Sequence, residues 1–365
     1  MASEVFWSNM RAEKGKNLLD KVERLWQRAG FSKIINQGDL VAIKIHFGEK
    51  GNLAYIHPAY VRRIVDLARQ QGGKPFLTDS NTLYVGARSN AVDHLQTAIE
   101  NGFAYAVVGA PIIIADGLNG KDYINVPVNL KRFKEVKIGS AIYHADALIV
   151  LSHFKGHELT SFGGTLKNLG MGCGSPSGKQ MMHSDVLPVV QPDKCTACGR
   201  CVKWCPAGAI TVSQHAVIDS GKCWGCGECT VTCNRRAIKP NFKSTPEALQ
   251  EKIVEYAYGA LQNKSGKTAF FNFVTHVSPE CDCNSWNDAA IVGDVGILAS
   301  YDPVAIDQAS LDLVNAQAPL PGTRLDGKEV GGDKFRAVSG YDGTHQLKYG
   351  EELGLGSRKY ILVQV

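Results

Sequence analysis

The stretch "KIGSAIYHADALIVLSHFKGH", residues 137–157, predicts a short helix followed by a buried β-strand over Ala147–Leu151. A short, unbroken apolar run bounded by polar residues is typical of a strand that is covered on both faces, as in a parallel sheet. Directly after the strand come His153, Lys155 and His157, which share one face if the chain stays extended. The stretch therefore predicts an α/β core with reactive polar side chains where one of its strands ends.

On either side of this stretch, the sequence alternates between strand and helix patterns. The predicted strands are "EVFWSNM" (4–10), "LVAIKIHF" (40–47), "KPFLTDS" (74–80), "KTAFFNFVTHV" (267–277), "DVGILAS" (294–300) and "KYILVQV" (359–365). Helices are predicted before Gly30 and over residues 58–71, 89–103, 245–262 and 302–316, with Ser89 and Asp302 as N-caps. This alternation predicts an α/β fold, a mainly parallel sheet with flanking helices in one lobe or two. The glycine-rich residues 322–343 predict a long surface loop or lid.

The alternation stops near Leu187 and resumes near Thr245. Because the same pattern continues after the interruption, the segment between is predicted to be inserted into an α/β domain and not appended to it. The expected organisation is a discontinuous α/β domain, residues 1–186 and 244–365, with an inserted domain over residues 187–243.

The inserted segment contains an internal repeat with a period of 28 residues. "KCTACGRCVKWCPAGAITV" begins at Lys194 and "KCWGCGECTVTCNRRAIKP" begins at Lys222, and each copy is a C-x2-C-x2-C-x3-C run. Such runs are typical of bacterial ferredoxins with two [4Fe–4S] clusters, in which three cysteines hold one cluster and the fourth reaches the other. Zinc is the alternative, but zinc sites normally use two separated C-x2-C pairs.

This crossed arrangement predicts the two ligand sets of an inserted α+β ferredoxin-like domain. One [4Fe-4S] cluster is assigned to Cys195, Cys198, Cys201 and Cys233, and the other to Cys223, Cys226, Cys229 and Cys205. One departure from the ferredoxin pattern is that Asn234 follows Cys233, whereas Pro206 follows Cys205. The departure changes the turn after the last ligand and removes no ligand.

The net charge of the chain is concentrated in the inserted segment. The whole chain carries +5, and residues 187–243 hold eight Lys or Arg against three Asp or Glu, which also gives +5. A basic patch suggests nucleic-acid binding, but eight thiolates and two iron–sulfur clusters would add roughly −4. The basic residues are therefore expected to offset cluster charge. No basic helix or aromatic platform accompanies them, so no nucleic-acid partner is predicted.

Composition excludes several other classes of protein. With 44% apolar and 21% charged residues, the chain is ordinary for a globular protein. No run approaches the ~20 apolar residues of a membrane span, and the first residues lack the apolar core of a secretory signal. We therefore expect a cytoplasmic protein with no membrane partner. In that reducing compartment, clustered cysteines are more often metal ligands than disulfides.

Polar side chains follow several of the predicted strands, where open α/β sheets bind their ligands. Because the loops after parallel strands converge on one edge of the sheet, these side chains are expected to line a cleft. Lysines there would hold an anionic group, and a histidine would shuttle protons. The alternatives are histidines that bond to backbone and ordinary turn residues. The predicted catalytic residues are Lys44, His46, His153, Lys155, His157 and Lys167, and Asp79 and Asn81 are predicted to bind a cofactor.

Two further segments carry candidates for cofactor binding. Gly163 and Gly164 precede a short helical run, where their backbone N–H groups could hold a phosphate or carboxylate beside Lys167; a tight turn is the alternative. Cys281 and Cys283 could bind a cofactor or an additional metal, act as a redox dithiol, or remain free thiols. Asp282 is a candidate for a further ligand.

The whole chain resembles a family of bacterial and archaeal iron–sulfur proteins known as domain of unknown function 362, which often carries a two-cluster ferredoxin module. The resemblance rests on "KIHFGEKGN" (44–52), "LTDSNTLYVGARSNAVDHL" (77–95), "SHFKGHELTSFGGTLKNLGMG" (152–172), "CDCN" (281–284) and "GILASYDPVAIDQASLDLV" (296–314). It implies the architecture described above and supplies little chemistry. The chain is also distantly similar to the lactate-racemase superfamily, in which His and Lys residues line a cleft between two α/β lobes.

Two functions from different classes account for these features. The first is an iron–sulfur oxidoreductase, in which two [4Fe-4S] clusters relay electrons to or from a small anionic substrate or a cofactor in the α/β cleft. A flavin would suit the change between one-electron and two-electron steps, although no flavin fingerprint is visible. The alternative is a non-enzymatic electron-transfer protein or metal-handling adaptor whose α/β domain docks a redox partner protein.

Overall fold

The computed structural model describes residues 2–84, 86–183, 187–223, 225–239, 244–328 and 330–365. Its strands are β1 (Ser3–Ser8), β2 (Leu40–Ile45), β3 (Lys74–Asp79), β4 (Ile112–Ile114), β5 (Tyr123–Pro127), β6 (Glu135–Gly139), β7 (Ala147–His153), β8 (Lys155–His157), β9 (Ser161–Gly163), β10 (Val189–Val190), β11 (Ile210–Val212), β12 (Ala216–Ile218), β13 (Ile238–Lys239), β14 (Thr268–Val274), β15 (Gly296–Ser300) and β16 (Tyr360–Gln364).

The α-helices alternate with these strands through most of the chain. They are α1 (Leu18–Ala29), α2 (Pro58–Gln70), α3 (Ala91–Ala98), α4 (Tyr105–Val108), α5 (Ser140–His144), α6 (Thr165–Cys173), α7 (Pro176–His183), α8 (Arg200–Lys203), α9 (Glu228–Thr232), α10 (Pro246–Leu261), α11 (Pro303–Asn315), α12 (Lys334–Ser339) and α13 (Thr344–Glu352). Short 3-10 turns cover Phe31–Ile34 and Pro192–Lys194, and a π-helical turn covers Ile99–Phe103. None of the helices in the described ranges is long and apolar enough to cross a membrane.

The main sheet has eight strands in the order β16–β1–β15–β14–β7–β2–β3–β4. Strands β14, β7, β2, β3 and β4 are parallel to one another, and β1 is parallel to β16. Strand β15 runs antiparallel to both of its neighbours. The predicted α/β fold with a mainly parallel sheet and flanking helices is therefore confirmed.

Alternate residues of the central strands pack on opposite faces of this sheet, as the pleat requires. Ala42 and Val150 belong to the apolar cluster that includes residues of α6, α10 and α11. Ile43 and Leu151 belong to the cluster that includes residues of α1 and α2. Every residue of β7 is buried, and each fully buried Leu or Ile side chain stabilises the fold by roughly 1.5–3 kcal/mol.

Two local predictions are corrected by the structure. Helix α3 is capped by Asn90 and not by Ser89, since the Asn90 side chain accepts hydrogen bonds from the first free backbone N–H groups. The predicted loop over residues 322–343 contains helix α12, which Asp333 caps. This helix forms there because Phe335 is buried against the rings of Phe154 and Phe162.

The two cysteine runs share one backbone conformation as well as one sequence pattern. In each run, three residues at equivalent places have positive φ: Ala197 and Gly225 (51° and 74°), Gly199 and Gly227 (70° and 75°), and Gly208 and Arg236 (56° and 53°). L-residues other than glycine seldom adopt such angles. The same unusual turns at the period of 28 residues show that the two halves fold alike.

The cysteine segment also has a small apolar cluster, formed by Cys201, Ile210, Ala216, Cys229 and Ile238. Two short antiparallel ladders, β10–β13 and β11–β12, accompany it. The division into an α/β domain and an insert at residues 187–243 stays a prediction. Its boundary residues 184–186 and 240–243 lie outside the described part of the chain.

Glu228 joins the cysteine segment to the α/β core. Its carboxylate accepts hydrogen bonds from Lys137 Nζ at 2.8 Å and from the Tyr123 hydroxyl at 2.6 Å. Burial alone would raise the pKa of Glu228, but Lys137 lowers it below the ordinary value. Beside this contact, Lys121 Nζ lies 3.6 Å from the centre of the Trp204 ring. The contacts of Glu228 join β5 and β6 to α9, the helix that carries Cys229.

We expect Glu228→Ala to loosen the cysteine segment, because the substitution leaves the buried Lys137 ammonium without its carboxylate. Loss of one partner from a buried ion pair costs about 3 kcal/mol. Trypsin cleavage within residues 187–239 should therefore accelerate about tenfold or more. Glu352→Ala, which removes an exposed partner of Lys348, should leave the cleavage rate unchanged. Equal cleavage rates for Glu228→Ala and the parent protein would contradict this role of Glu228.

Candidate functional site

The carboxyl ends of β2, β3 and β7 lie on one edge of the sheet and open into a cleft of about 550 Å³. The wall is completed by β8, by helices α6 and α7, and by the chain at residues 283–284. Among the residues predicted from the sequence, the structure brings these to the cleft wall: His46, Asp79, Lys155, His157, Lys167 and Cys283. The loops that follow these parallel strands therefore meet at one cleft, as predicted.

Lys44 lies beneath the cleft and does not line it. Its Nζ is 2.9 Å from Asp79 Oδ1 and donates to Asn168 Oδ1 at 2.6 Å, with the whole side chain buried in β2. The predicted catalytic role of Lys44 is therefore corrected to a supporting one. Burial alone would raise the pKa of Asp79, but the charges of Lys44 and Arg88 lower it. Asp79 is consequently a fixed negative charge in the floor of the cleft.

Arg88 is a buried cation that the sequence analysis did not single out. Its guanidinium contacts Asp79 Oδ2 at 3.4 Å, Glu49 Oε2 at 3.3 Å and the Tyr84 hydroxyl at 2.5 Å. Tyr84 in turn donates to Glu49 Oε2. The loop after β3 is thereby fixed to the loop after β2, and Arg88 and Tyr84 both line the cleft.

His46 and His157 present the same tautomer to the cleft. Nδ1 of His46 accepts from the Gly48 N–H at 3.0 Å, and Nδ1 of His157 accepts from the Leu159 and Thr160 N–H groups. Burial, followed by the charges of nearby cations, holds the pKa of each imidazole well below its usual range. Each ring is therefore neutral with its proton on Nε2. In this tautomer each ring can donate its Nε2–H into the cleft, and the role of a histidine as a proton shuttle stays a prediction.

His153 is turned away from the cleft, contrary to its predicted catalytic role. Its Nδ1 lies 2.8 Å from Asp282 Oδ1 and its Nε2 lies 2.9 Å from the Thr275 carbonyl oxygen. Both ring nitrogens therefore have oxygen partners within the protein. Lys155 Nζ donates to the His153 carbonyl oxygen and lies 3.5 Å from Asp282 Oδ2. His153 therefore positions the loop that carries Asp282 against Lys155.

Three residues predicted to bind a cofactor have other partners. The Asn81 amide donates to Asp116 Oδ1 at 2.9 Å and to the Gly117 carbonyl, so Asn81 holds a loop and is directed away from the cleft. A carboxylate of the chain already occupies the turn at Gly163 and Gly164. Asp307 accepts from the first two N–H groups of α6, at 2.7 and 2.9 Å. The predicted anion site at these two glycines is corrected, since a ligand would have to displace Asp307.

Lys167, Cys281 and Cys283 form one cluster at the cleft wall. Lys167 Nζ donates to Cys281 Sγ at 3.3 Å, and the two thiols hydrogen bond to each other. The hydrogen bond from Cys283 and the charge of Lys167 lower the pKa of Cys281. The same hydrogen bond raises the pKa of Cys283, whose side chain lines the cleft. Asp282 is bound to His153, so the prediction that it would join the thiols around a metal is corrected.

Helix α7 separates the cleft from the cysteine segment. Lys179 and His183 line the cleft on one side of the helix. On another side, Ser177 contacts Lys137 Nζ, which also donates to the Cys226 carbonyl oxygen. Lys179 Nζ donates to Ser80 Oγ at 2.7 Å, and burial lowers its pKa. The signal for a buried lysine was its setting among small residues in "GSPSGK" (174–179), which leave room for a long side chain.

The first predicted cysteine set surrounds one cavity. Cys195, Cys198, Cys201 and Cys233 all line it, although Cys233 comes from the second run. The Sγ atoms of Cys195 and Cys233 accept hydrogen bonds at 3.3 Å from the N–H groups of Ala216 and Ala237. Burial chiefly raises the pKa of Cys229, and Cys226, Cys223, Cys201 and Cys205 raise it further, so cysteines of both runs lie near Cys229.

In the described ranges, no group of three or more His, Cys, Asp or Glu side chains is placed so that it could hold a single metal ion. A cubane binds each cysteine through a different iron atom, so its ligands lie further apart than the ligands of one ion. Four cysteines around a shared cavity fit such a group. Like the Sγ atoms of Cys195 and Cys233, Cys205 Sγ accepts a backbone hydrogen bond, from the N–H of Ala209 at 3.3 Å.

The model of the family described as Domain of unknown function (DUF362) matches residues 41–312. The chain belongs to the DUF362 family. This confirms the family named from the sequence motifs. All the cleft residues, from His46 to Asn284, and the whole cysteine segment lie inside the matched range.

Two further comparisons accompany the DUF362 match. No curated protein matches the chain. Among solved structures, the lactate racemase apoprotein from Thermoanaerobacterium thermosaccharolyticum is similar at 12% sequence identity with a TM-score of 0.39. The similarity covers 74% of this chain and 50% of that chain, so the present chain spans about half the length of the racemase.

A buried histidine next to the cleft floor of this DUF362 protein, His94, leads us to expect a loss of stability in acid. His94 is buried against the Phe47 ring, and neither of its ring nitrogens has a hydrogen-bond partner among the described residues. Burial lowers its pKa to about 3. An unfolded histidine takes up its proton near pH 6.5, so stability from the neutral ring is present above pH 6.5 and is lost as the pH falls below it.

We therefore expect His94→Phe to lose about 1 kcal/mol less free energy of unfolding than the parent protein between pH 7 and pH 5.5. Chemical denaturation at the two pH values measures the difference. His144→Gln changes an exposed histidine and should behave as the parent does. An unchanged pH dependence in His94→Phe would show that His94 is not a neutral core residue.

Proposed function

We propose that this DUF362 protein is an iron–sulfur oxidoreductase that uses two [4Fe-4S] clusters to exchange electrons with a small anionic substrate in the cleft. The observation that carries the proposal is the position of α7, which packs against α9 of the cysteine segment on one side and lines a cation-rich cleft on another. An electron carrier or adaptor without a substrate has no use for such a cleft.

The cysteine segment supports a group of cluster size. The crossed set of four cysteines around one cavity and the N–H donors to sulfur are suited to a [4Fe-4S] cluster, which would supply one-electron transfer at low potential. Cys226 of the second set is linked to α7 through Lys137, which donates to the Cys226 carbonyl oxygen and to Ser177. Cys198 of the first set is exposed. A redox partner protein would therefore approach the first set from outside.

The cleft supports binding of an anion. Lys155, Lys167, Lys179 and Arg88 line it against the carboxylates of Asp79 and Glu158. Neutral imidazoles add Nε2–H donors whose direction is fixed by the backbone bonds to Nδ1. A carboxylate or phosphate would accept from these donors. Its volume of about 550 Å³ is within the range of small-molecule sites.

Proton supply in the proposed reaction would fall to Lys179. Burial lowers the pKa of its ammonium, which favours release of a proton in the neutral range. Ser80 lines the cleft, and its hydroxyl would pass a proton to the substrate. Lys179, which donates a hydrogen bond to Ser80 Oγ, would then replace that proton. The predicted flavin would occupy the same cleft, and extraction of bound cofactors from the purified protein tests for it.

Metal analysis after anaerobic purification tests the cluster proposal. We expect about eight irons and eight acid-labile sulfides per chain. Cys226→Ala should retain about half of this iron, because only one of the two ligand sets is changed. Cys173→Ala removes a buried thiol outside both sets and should retain all of it. Zinc in place of iron, or equal iron loss in the two variants, would exclude the assignment.

Oxidation of a reduced low-potential dye, measured against a panel of carboxylates and phosphate esters, tests the enzyme proposal. Once a substrate is found, Lys155→Met should lower kcat/KM by about 10- to 100-fold, since a hydrogen bond to a charged group contributes roughly 1.5–3 kcal/mol. Lys264→Met removes a lysine that is bonded to the Tyr143 carbonyl and does not line the cleft, so activity should be kept. Full activity in Lys155→Met would place the substrate elsewhere.

A further inference from the structure

Cys281 and Cys283 are placed for chemistry that the proposed function does not use. Cys281 is buried, whereas Cys283 is partly exposed and lines the cleft. The thiols hydrogen bond to each other, and Lys167 Nζ lies 3.3 Å from Cys281 Sγ. One thiol of the pair is thus accessible from the cleft, and the other is held behind it beside a cation.

The charges around the pair favour a thiolate at Cys281. From α6 and β8, Lys167 and Lys155 both lower its pKa, while its neighbour Asp282 raises it. The other groups that interact with the pair are Glu158, Tyr84 and Arg88. Asp282 is itself paired with His153. The hydrogen bond that Cys283 donates to Cys281 is the leading cause of the shift.

We propose that Cys281 and Cys283 are a redox-active dithiol, which opens on the cleft through Cys283 and cycles between a thiolate–thiol pair and a disulfide. A structural role for that disulfide is disfavoured, because a loop closed over one intervening residue gains little stability. Strained disulfides are the labile and catalytic ones. The pair would give the protein a two-electron centre made from its own side chains.

The exchange balances with an organic disulfide, RSSR, as oxidant. Cys283 attacks one sulfur of RSSR as its proton passes to Cys281, and the first thiolate RS⁻ leaves. Transfer of that proton to RS⁻ restores the Cys281 thiolate, which then attacks Cys283 Sγ and releases the second RS⁻. The sum is RSSR plus one thiol and one thiolate giving the Cys281–Cys283 disulfide, RSH and RS⁻. In the opposite direction, the disulfide takes up two electrons and one proton.

Only the role of this pair as a relay rests on the proposed function. There, two single electrons that arrive through the cysteine segment would be stored as one dithiol before two-electron transfer to the substrate. The redox couple itself requires neither the clusters nor a substrate. It can therefore be measured even if the iron analysis fails.

The sequence allows the pair to be measured apart from the other nine cysteines. Trypsin is expected to release residues 268–324 as one peptide, in which Cys281 and Cys283 are the cysteines. The intact protein is equilibrated in glutathione and dithiothreitol redox buffers, alkylated, digested and analysed by mass spectrometry. We expect the peptide to change from two alkylated thiols to one internal disulfide in a two-electron transition. A peptide that stays reduced throughout would overturn the proposal.

The pH dependence of the midpoint tests the role of Lys167. With Cys281 already a thiolate, reduction takes up one proton, so each tenfold change in proton concentration shifts the midpoint by about 30 mV. In Lys167→Met the pKa of Cys281 should rise, so the slope of about 60 mV per pH unit that applies below this pKa should extend to higher pH than in the parent protein. Lys264→Met is the matched control with an unchanged slope. A slope of about 60 mV in the parent protein would rule out the Lys167-held thiolate.

Discussion

A buried contact between an ammonium and a carboxylate, Lys44 Nζ to Asp79 Oδ1, fixes the sheet edge on which the cleft depends. Two charges in a dry core are tolerated only when their remaining hydrogen-bonding capacity is also satisfied. Asn168 of α6 completes the partners of Lys44, and Arg88 completes those of Asp79. These requirements tie α6 and the loop after β3 to neighbouring strands. The other cations of the cleft are then held in place by elements that cannot separate without exposing this pair.

Close packing explains the many glycines between Ser152 and His183. A Cβ atom at Gly172 would lie 2.4 Å from Lys44 Nζ, and one at Gly156 would lie 2.0 Å from the Pro279 carbonyl oxygen. At Gly164 it would lie 2.3 Å from Asp307 Oδ1. The glycines therefore let backbone, the buried lysine and the capping carboxylate approach closely. A glycine-rich sequence after a strand suggested an anion site, and the structure supplies that anion from its own helix α11.

The sequence predicted the sheet and much of the cleft wall because both follow from local pattern. Apolar runs identify parallel strands, and the ends of parallel strands must share an edge. The predictions that were wrong concerned residues whose partners are distant in sequence. His153 contacts Asp282, and Asn81 donates to Asp116. The sequence around His153 or Asn81 does not indicate these partners. Arg88 was missed for the same reason, since its burial depends on Glu49. Lys179 had a local signal in its small neighbours, but its partners are carbonyl oxygens that include one of another loop.

The two histidines of the cleft explain how it could hold an anion over a broad range of pH. A charged imidazole would strengthen binding in acid and weaken it near neutrality. His46 and His157 avoid this because burial and surrounding cations keep both rings neutral, while backbone N–H groups fix their Nε2–H donors toward the cleft. In the proposed function, the charge that attracts the anion would come from the lysines and Arg88, and the histidines would fix the direction of its hydrogen bonds. A bound group that gains electrons would become more negative, and fixed donors of this kind stabilise that change without reorganisation.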